Sequence, residues 1–304
     1  MVVNVLLGLL GILFVYYFIF YVRDLMNHKG DWGEGNVPIN LFIGFITNFL
    51  DTLGIGSYAT TTMLLGVTKQ LKSDKLLPGT LNVADTIPVL IEAFLFISVV
   101  EVESVTLFSL IIAAIIGAVI GGKTVPNLSE KKVQTYLGFA LLITALLMLG
   151  KQLGLMAFLG TGNTAMGLEG PKLILAVVLN LIFGALMTIG CGLYAPCMAM
   201  VYLLGLNPIV AFPVMMGSCA ALMPVASKEF IVSGVYARKI SVIIAISGIF
   251  GVVVAAKLVQ SMDLNILTWL VIIVVIYTAF MYIRKGLKNK KEAAPAGEDD
   301  NFQG

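Results

Sequence analysis

Asp85 lies in Asn82-Val-Ala-Asp85-Thr86-Ile-Pro88, in the middle of the apolar stretch 78–100, with Glu92 two turns further on and Asp51 closing an earlier apolar run. An ionisable side chain costs free energy to keep in such surroundings and, where it is kept, marks a proton relay or an ion path. Asp85 and Glu92 are therefore the proton-coupling candidates, with Asp51 as a further choice. A structural polar contact or a helix cap is the competing role for each.

A second chemistry is written in Thr52-Leu-Gly54-Ile-Gly56-Ser57-Tyr58-Ala59, which returns as Thr188-Ile-Gly190-Cys191-Gly192-Leu193-Tyr194-Ala195 with five of eight positions identical. Two glycines in an apolar run let the backbone leave the helix and approach a ligand closely. A half-helix restarting near Ser57 or Leu193 would aim free N–H groups and the positive end of its dipole at an anion. The expected substrate-binding set is Thr52, Gly54, Gly56, Ser57, Tyr58, Asn82, Thr188, Gly190, Cys191, Gly192, Tyr194 and Ser218, the last standing at the place of Asn82 in the second copy. Glycines that only let helices pack closely are the alternative, and they leave the repeated Thr and Tyr unexplained. No lysine or arginine falls within the apolar core, so an anion would rest on helix termini, hydroxyls and a co-transported proton.

Cys191, Cys197 and Cys219 all lie in apolar segments, which does not suggest a disulfide framework. They pack as small buried residues or relay sulfur to a thiol-reactive substrate. His28 is the only histidine and sits in a loop, so no metal site is expected. No nucleophile and base come together, so an enzyme is not expected, and neither is a cofactor.

These residues need elements to hold them. The spacing of 136 residues that relates the motifs also carries Pro88-Val89 onto Pro224-Val225 and Phe94 onto Phe230, which makes an internal repeat. Full spans are expected at 3–22, 78–100, 104–122, 133–150, 209–227, 239–257 and 264–283. Residues 38–67 and 172–205 are long for one crossing and short for two, and each carries its glycine motif near the middle. The first span is too long for a signal peptide and no small-residue cleavage site follows it, so it is expected to be retained.

Charge placement decides what the two odd segments do. If each is a hairpin that returns to the side it entered, with a cytoplasmic C-terminus, 16 of the 19 basic residues lie inside. If each crosses once, the balance falls to 12 inside against 7 outside. The hairpin reading is the stronger. A repeat of one hairpin and three spans crosses an odd number of times, so the second copy is inserted upside down. Broken helices that meet at the midplane of two inverted repeats describe an alternating-access transporter.

Composition agrees. The chain is 59% hydrophobic and 12% charged, with a mean hydropathy of +1.00, against about 25% charged residues in soluble domains. The expected fold is an all-α polytopic membrane protein of about seven full spans and two re-entrant hairpins in two inverted repeats. Its divisions are an extra helix and loop (1–37), the first repeat (38–150), a connecting loop (151–171), the second repeat (172–283) and a basic, then disordered, cytoplasmic tail (284–304). The Phe-Gln-Gly at its end has the form of a protease-site scar.

Two halves that each open with a broken segment bearing Gly-x-Gly, followed by a proline-containing span, resemble the sulfite exporter TauE/SafE family of membrane permeases. The resemblance covers roughly 38–283. It departs from the family's richer glycine run at Ser57 and Leu193, and only the second copy keeps a nearby proline, Pro196. It implies export, or in some members uptake, of small anions such as sulfite, organosulfonates or carboxylates. The driving force would be an ion gradient, in keeping with the lack of a Walker-type motif. The expected partners are a small anionic substrate, the lipid bilayer and protons, with no nucleic acid, in a monomer or homodimer. The expected location is a bacterial or archaeal inner membrane with the N-terminus outside. An anion channel and a thiol-assisted carrier of reduced sulfur compounds are the alternatives.

Overall fold

The computed structural model describes residues 2–73, 76–124, 130–153, 163–187 and 193–291. Among these the chain is helical, without strands, in the order α1 (Val2–Asn27), α2 (Val37–Thr52), α3 (Ser57–Val67), α4 (Leu77–Val99), α5 (Ser104–Thr124), α6 (Glu130–Gln152), α7 (Gly170–Met187), α8 (Tyr194–Leu203), α9 (Ala211–Ser233), α10 (Arg238–Ser261) and α11 (Leu264–Lys291). The helix boundaries follow local chemistry. Asn36 caps α2 by accepting from Ile39 N at 3.1 Å, with Pro38 in the first turn. Asp263 caps α11 through Ile266 N at 2.9 Å, and Gly234 ends α9 in the left-handed region at φ 69°.

Six helical stretches are long and apolar enough to cross a membrane: Val3–Asn27, Leu77–Val99, Gly170–Met187, Pro208–Ser233, Arg238–Ser261 and Asn265–Arg284. Five of the six overlap expected spans; the sixth is α7, which the sequence makes one arm of a hairpin and which at 18 residues is just long enough to cross. The expected spans in α5 and α6 are helical, but their described apolar portions, Ser104–Ile120 and Gly138–Gly150, are shorter.

After α1 the helices form two series of five in register. Moved by 136 residues, α2 falls on α7, α3 on α8, α4 on α9, α5 on α10 and α6 on α11, within a few residues at each end. Packing is reciprocal as well. α2 lies mainly on α10 and α5 on α7, while α4 meets its own counterpart α9 and α6 meets α11. An exchange of the two series about a two-fold relation gives this pattern.

Glycines make the reciprocal contacts close. A β-carbon at Gly44 would lie 2.6 Å from Ile244 Cα, and one at Gly251 2.2 Å from Phe45 O, both between α2 and α10. Between α5 and α7, a β-carbon at Gly117 would lie 1.9 Å from Leu181 O and one at Gly184 2.1 Å from Ala114 O. Backbone cannot yield as a flexible side chain does. Gly117→Val is therefore expected to destabilise the protein by at least the ~1–3 kcal/mol of ordinary overpacking. Thermal unfolding in detergent reads this, and an unchanged melting temperature would remove close backbone packing as the reason for the glycine.

The loops gather at two ends. At one, Arg238 Nε donates to Asp24 Oδ2 at 2.7 Å, Asn36 N donates to Gln70 Oε1 at 2.9 Å and Lys72 pairs with Glu34 at 3.0 Å. At the other, Glu103 N donates to Met166 O at 2.9 Å and Gln260 Nε2 to Leu95 O at 3.2 Å.

Candidate substrate and proton site at the helix breaks

The helix of 37–67 does break at its glycine motif. α2 ends at Thr52 and α3 begins at Ser57, and between them Gly54 and Gly56 hold φ of 93° and 91°, where a β-carbon is disfavoured. A β-carbon at Gly54 would meet Met198 Cε of α8 at 2.0 Å. Around Gly56 the opposite holds, since nothing described lies within 4 Å of where its β-carbon would be. Tyr58, 39% exposed, borders the same region near Asp51, Asp85 and Cys219.

The acids converge on this break. Asp51, Asp85 and Glu92 are 3%, 0% and 0% exposed. Thr52 Oγ1 donates to Glu92 Oε1 at 2.6 Å, and Asn48 Nδ2 lies 3.4 Å from Asp85 Oδ1. Among the described residues Asp85 Oδ2, Glu92 Oε2 and Asn48 Oδ1 have no hydrogen-bond partner. None of the three acids is ion-paired there either, because the pairs present involve Asp24, Glu34 and Glu229. Helix α10 closes the back of the cluster, where a β-carbon at Gly248 would lie 2.7 Å from Asn48 Nδ2 and 2.9 Å from Pro88 Cγ. Pro88 lacks an N–H, so α4 gives up the helical hydrogen bond to Ala84 O, the carbonyl next to Asp85.

At the start of α3 one amide is already taken: Ser57 N donates to Asp51 Oδ1 at 2.7 Å. The chain's own carboxyl crosses the break and caps the restarted helix. The corresponding position in the second repeat is Met187, which offers no carboxyl, and among the described residues no side chain caps α8.

The start of α8 adjoins the first break. Tyr194, at the start of α8, neighbours Glu92, Asp51 and Cys219. Cys197 and Cys219 are free and buried, and Cys219 Sγ approaches Met187 Sδ at 3.8 Å. Thr188, Gly190, Cys191 and Gly192 lie outside the described residues. Asn82 and Ser218 turn to their own helices instead of the cluster, donating to Pro78 O at 2.9 Å and Val214 O at 2.7 Å.

The sequence reading missed Asn48. Its signal was the spacing Asn48-x-x-Asp51, which puts amide and acid on one face of α2 a turn before the glycines. No family model, no curated protein and no solved structure matches the chain.

Proposed function

We propose that the chain is a secondary transporter of small anions, such as sulfite, organosulfonates or related carboxylates, working by alternating access as an exporter of the inner membrane. The reading includes membership of the sulfite exporter TauE/SafE permeases that its motifs resemble. The observation that carries it is the meeting of a broken helix with a buried cluster of three acids that no basic side chain pairs with among the described residues.

Three neighbouring carboxylates without a cation are too costly to bury, so protons or a bound cation must neutralise them. A protonated acid is a hydrogen-bond donor. It can hold an oxyanion that a carboxylate would repel, so anion and proton load together. Their joint passage moves no net charge, and its direction follows the product of proton and anion concentrations on each side. The anion would dock at the start of α8, where no carboxyl competes, within reach of Glu92. The re-entrant arrangement is supported by Gln70, just past α3, accepting from Asn36 N and Asn40 Nδ2 at the start of α2 at 2.9 Å and 3.0 Å. At the second segment Lys172 Nζ reaches Leu204 O at 3.3 Å, again joining entry to exit. A cation carrier is the second reading, favoured by the same absence of basic side chains.

Proteoliposomes holding a pH-sensitive dye separate the two. Inward gradients of a singly charged anion, bisulfite or lactate, are expected to acidify the lumen, with no current. Sodium or potassium gradients that alkalinise it would favour the cation reading, and no proton movement under any gradient would defeat both.

A further inference from the structure

α1 lies outside the repeat, yet it carries Tyr17, Tyr21, Asp24 and His28 at steps of four, three and four residues, which is one face of a helix. By the rise of 1.5 Å per residue this stripe is roughly 16 Å long, about half of a hydrocarbon core of ~30 Å. That is the distance from a membrane surface to the midplane.

Both ends of the stripe are anchored. Tyr17, fully buried, donates to Val83 O at 2.8 Å, two residues before Asp85 on α4. At the far end Asp24 Oδ2 accepts from Tyr236 Oη at 2.5 Å and from Arg238 Nε at 2.7 Å. His28, just past the end of α1, bonds Asp24 O through Nδ1 at 2.8 Å and lies 3.3 Å from Asp24 Oδ1, with its side chain 42% exposed. Between them the Tyr21 ring stacks on Tyr17 at 5.4 Å and meets Tyr236 at 6.4 Å between centroids. Tyr21 is 4% exposed, and its hydroxyl has no hydrogen-bond partner among the described residues. A buried hydroxyl left so costs free energy that a Phe would not. The other charged or titratable groups around α1 lie off the stripe: Tyr16 beside Lys228, and Lys228 itself 5.6 Å from the Phe20 ring and paired with Glu229 at 3.5 Å.

We propose that this stripe is the proton entry of the transporter, running from His28 and Asp24 through Tyr21 and Tyr17, with water in the gaps, to the carboxyl cluster at Asp85. The inference rests on the proton-coupled reading above. Each hydroxyl accepts a proton on an oxygen lone pair and releases its own to the next acceptor, Tyr17 turning its O–H from Val83 O to the water that leads to Asp85. The net change is a proton leaving solution and a carboxylate becoming an acid, with nothing oxidised or reduced. The unpartnered Tyr21 hydroxyl is the link that water completes.

Infrared spectroscopy tests it without a known substrate. Full-length protein in lipid is given a pH jump, and the carbonyl band of protonated carboxylic acid is followed in time, the cluster's share being what disappears in Asp85→Asn. Tyr21→Phe and Tyr17→Phe are expected to slow the band by roughly tenfold, as ~1.4 kcal/mol added to a barrier would, with its final amplitude kept. Tyr16→Phe is expected to leave it unchanged. Native rates in both stripe variants would overturn the entry route while leaving the proton-coupled reading in place. A native cluster whose band does not respond to pH would overturn both. The ring is retained in each Phe variant, so packing alone predicts no slowing.

Discussion

Gly56→Val is expected to bring transport to background while the protein remains folded and inserted. Two independent penalties act at this position. The residue sits at φ 91° and ψ 132°, outside the left-handed helical region and essentially open to glycine alone, at a cost of about 1–3 kcal/mol. The side chain would also fill the region where nothing described lies within 4 Å, beside Tyr58 and the acids. Backbone strain alone weakens the break, whereas occupancy blocks the site. Gly56→Ala separates these effects, since it carries most of the strain in less volume and should retain part of the flux. Gly54→Ala behaves differently, because its β-carbon would displace the Met198 methyl and push α8 away from the first break. Flux in proteoliposomes, set beside thermal unfolding of the same preparations, distinguishes a blocked site from a lost fold. A Gly56→Val protein that transports at the native rate would remove the break as the binding place.

The break itself was legible because two glycines, repeated at a fixed spacing within apolar runs, have few other uses. Legible too were the helical series on either side, whose register of 136 residues runs from α2 to α11. What stayed hidden was how groups meet across the break. Asp51 and Ser57 are six residues apart, a separation with no helical meaning. Only the turn through Gly54 and Gly56 brings carboxyl and amide together. The division of labour between the repeats was hidden for a related reason. Matching the glycines draws the eye to what is shared, whereas the chemistry differs where the copies diverge: Asp51 against Met187, Asp85 against Ala221, Glu92 against Lys228. α7 remained ambiguous because 18 apolar residues satisfy both a short crossing and one arm of a hairpin.

Asp85→Asn is expected to abolish proton movement while preserving the fold. Asparagine has nearly the volume of aspartate and keeps an oxygen for the Asn48 amide, which approaches Oδ1 at 3.4 Å in the native protein. It therefore leaves no cavity, but it cannot take up or release a proton. If the carboxyl loads together with the anion, native influx falls as external pH rises, by up to about tenfold per pH unit for one co-loaded proton. The variant should lose this slope. Exchange of labelled for unlabelled anion at equal pH should survive in it, because the carrier need not be emptied of its proton to return. Glu92→Gln supplies the comparison. Thr52 still donates to the remaining amide oxygen, and Tyr194 keeps its neighbour at the start of α8. If the slope survives in Asp85→Asn and vanishes in Glu92→Gln, Glu92 is the coupling group. Loss in both would mean that the two acids share the task, as closely placed carboxyls do when one proton serves both. A native slope in both variants would take proton coupling away from this cluster altogether.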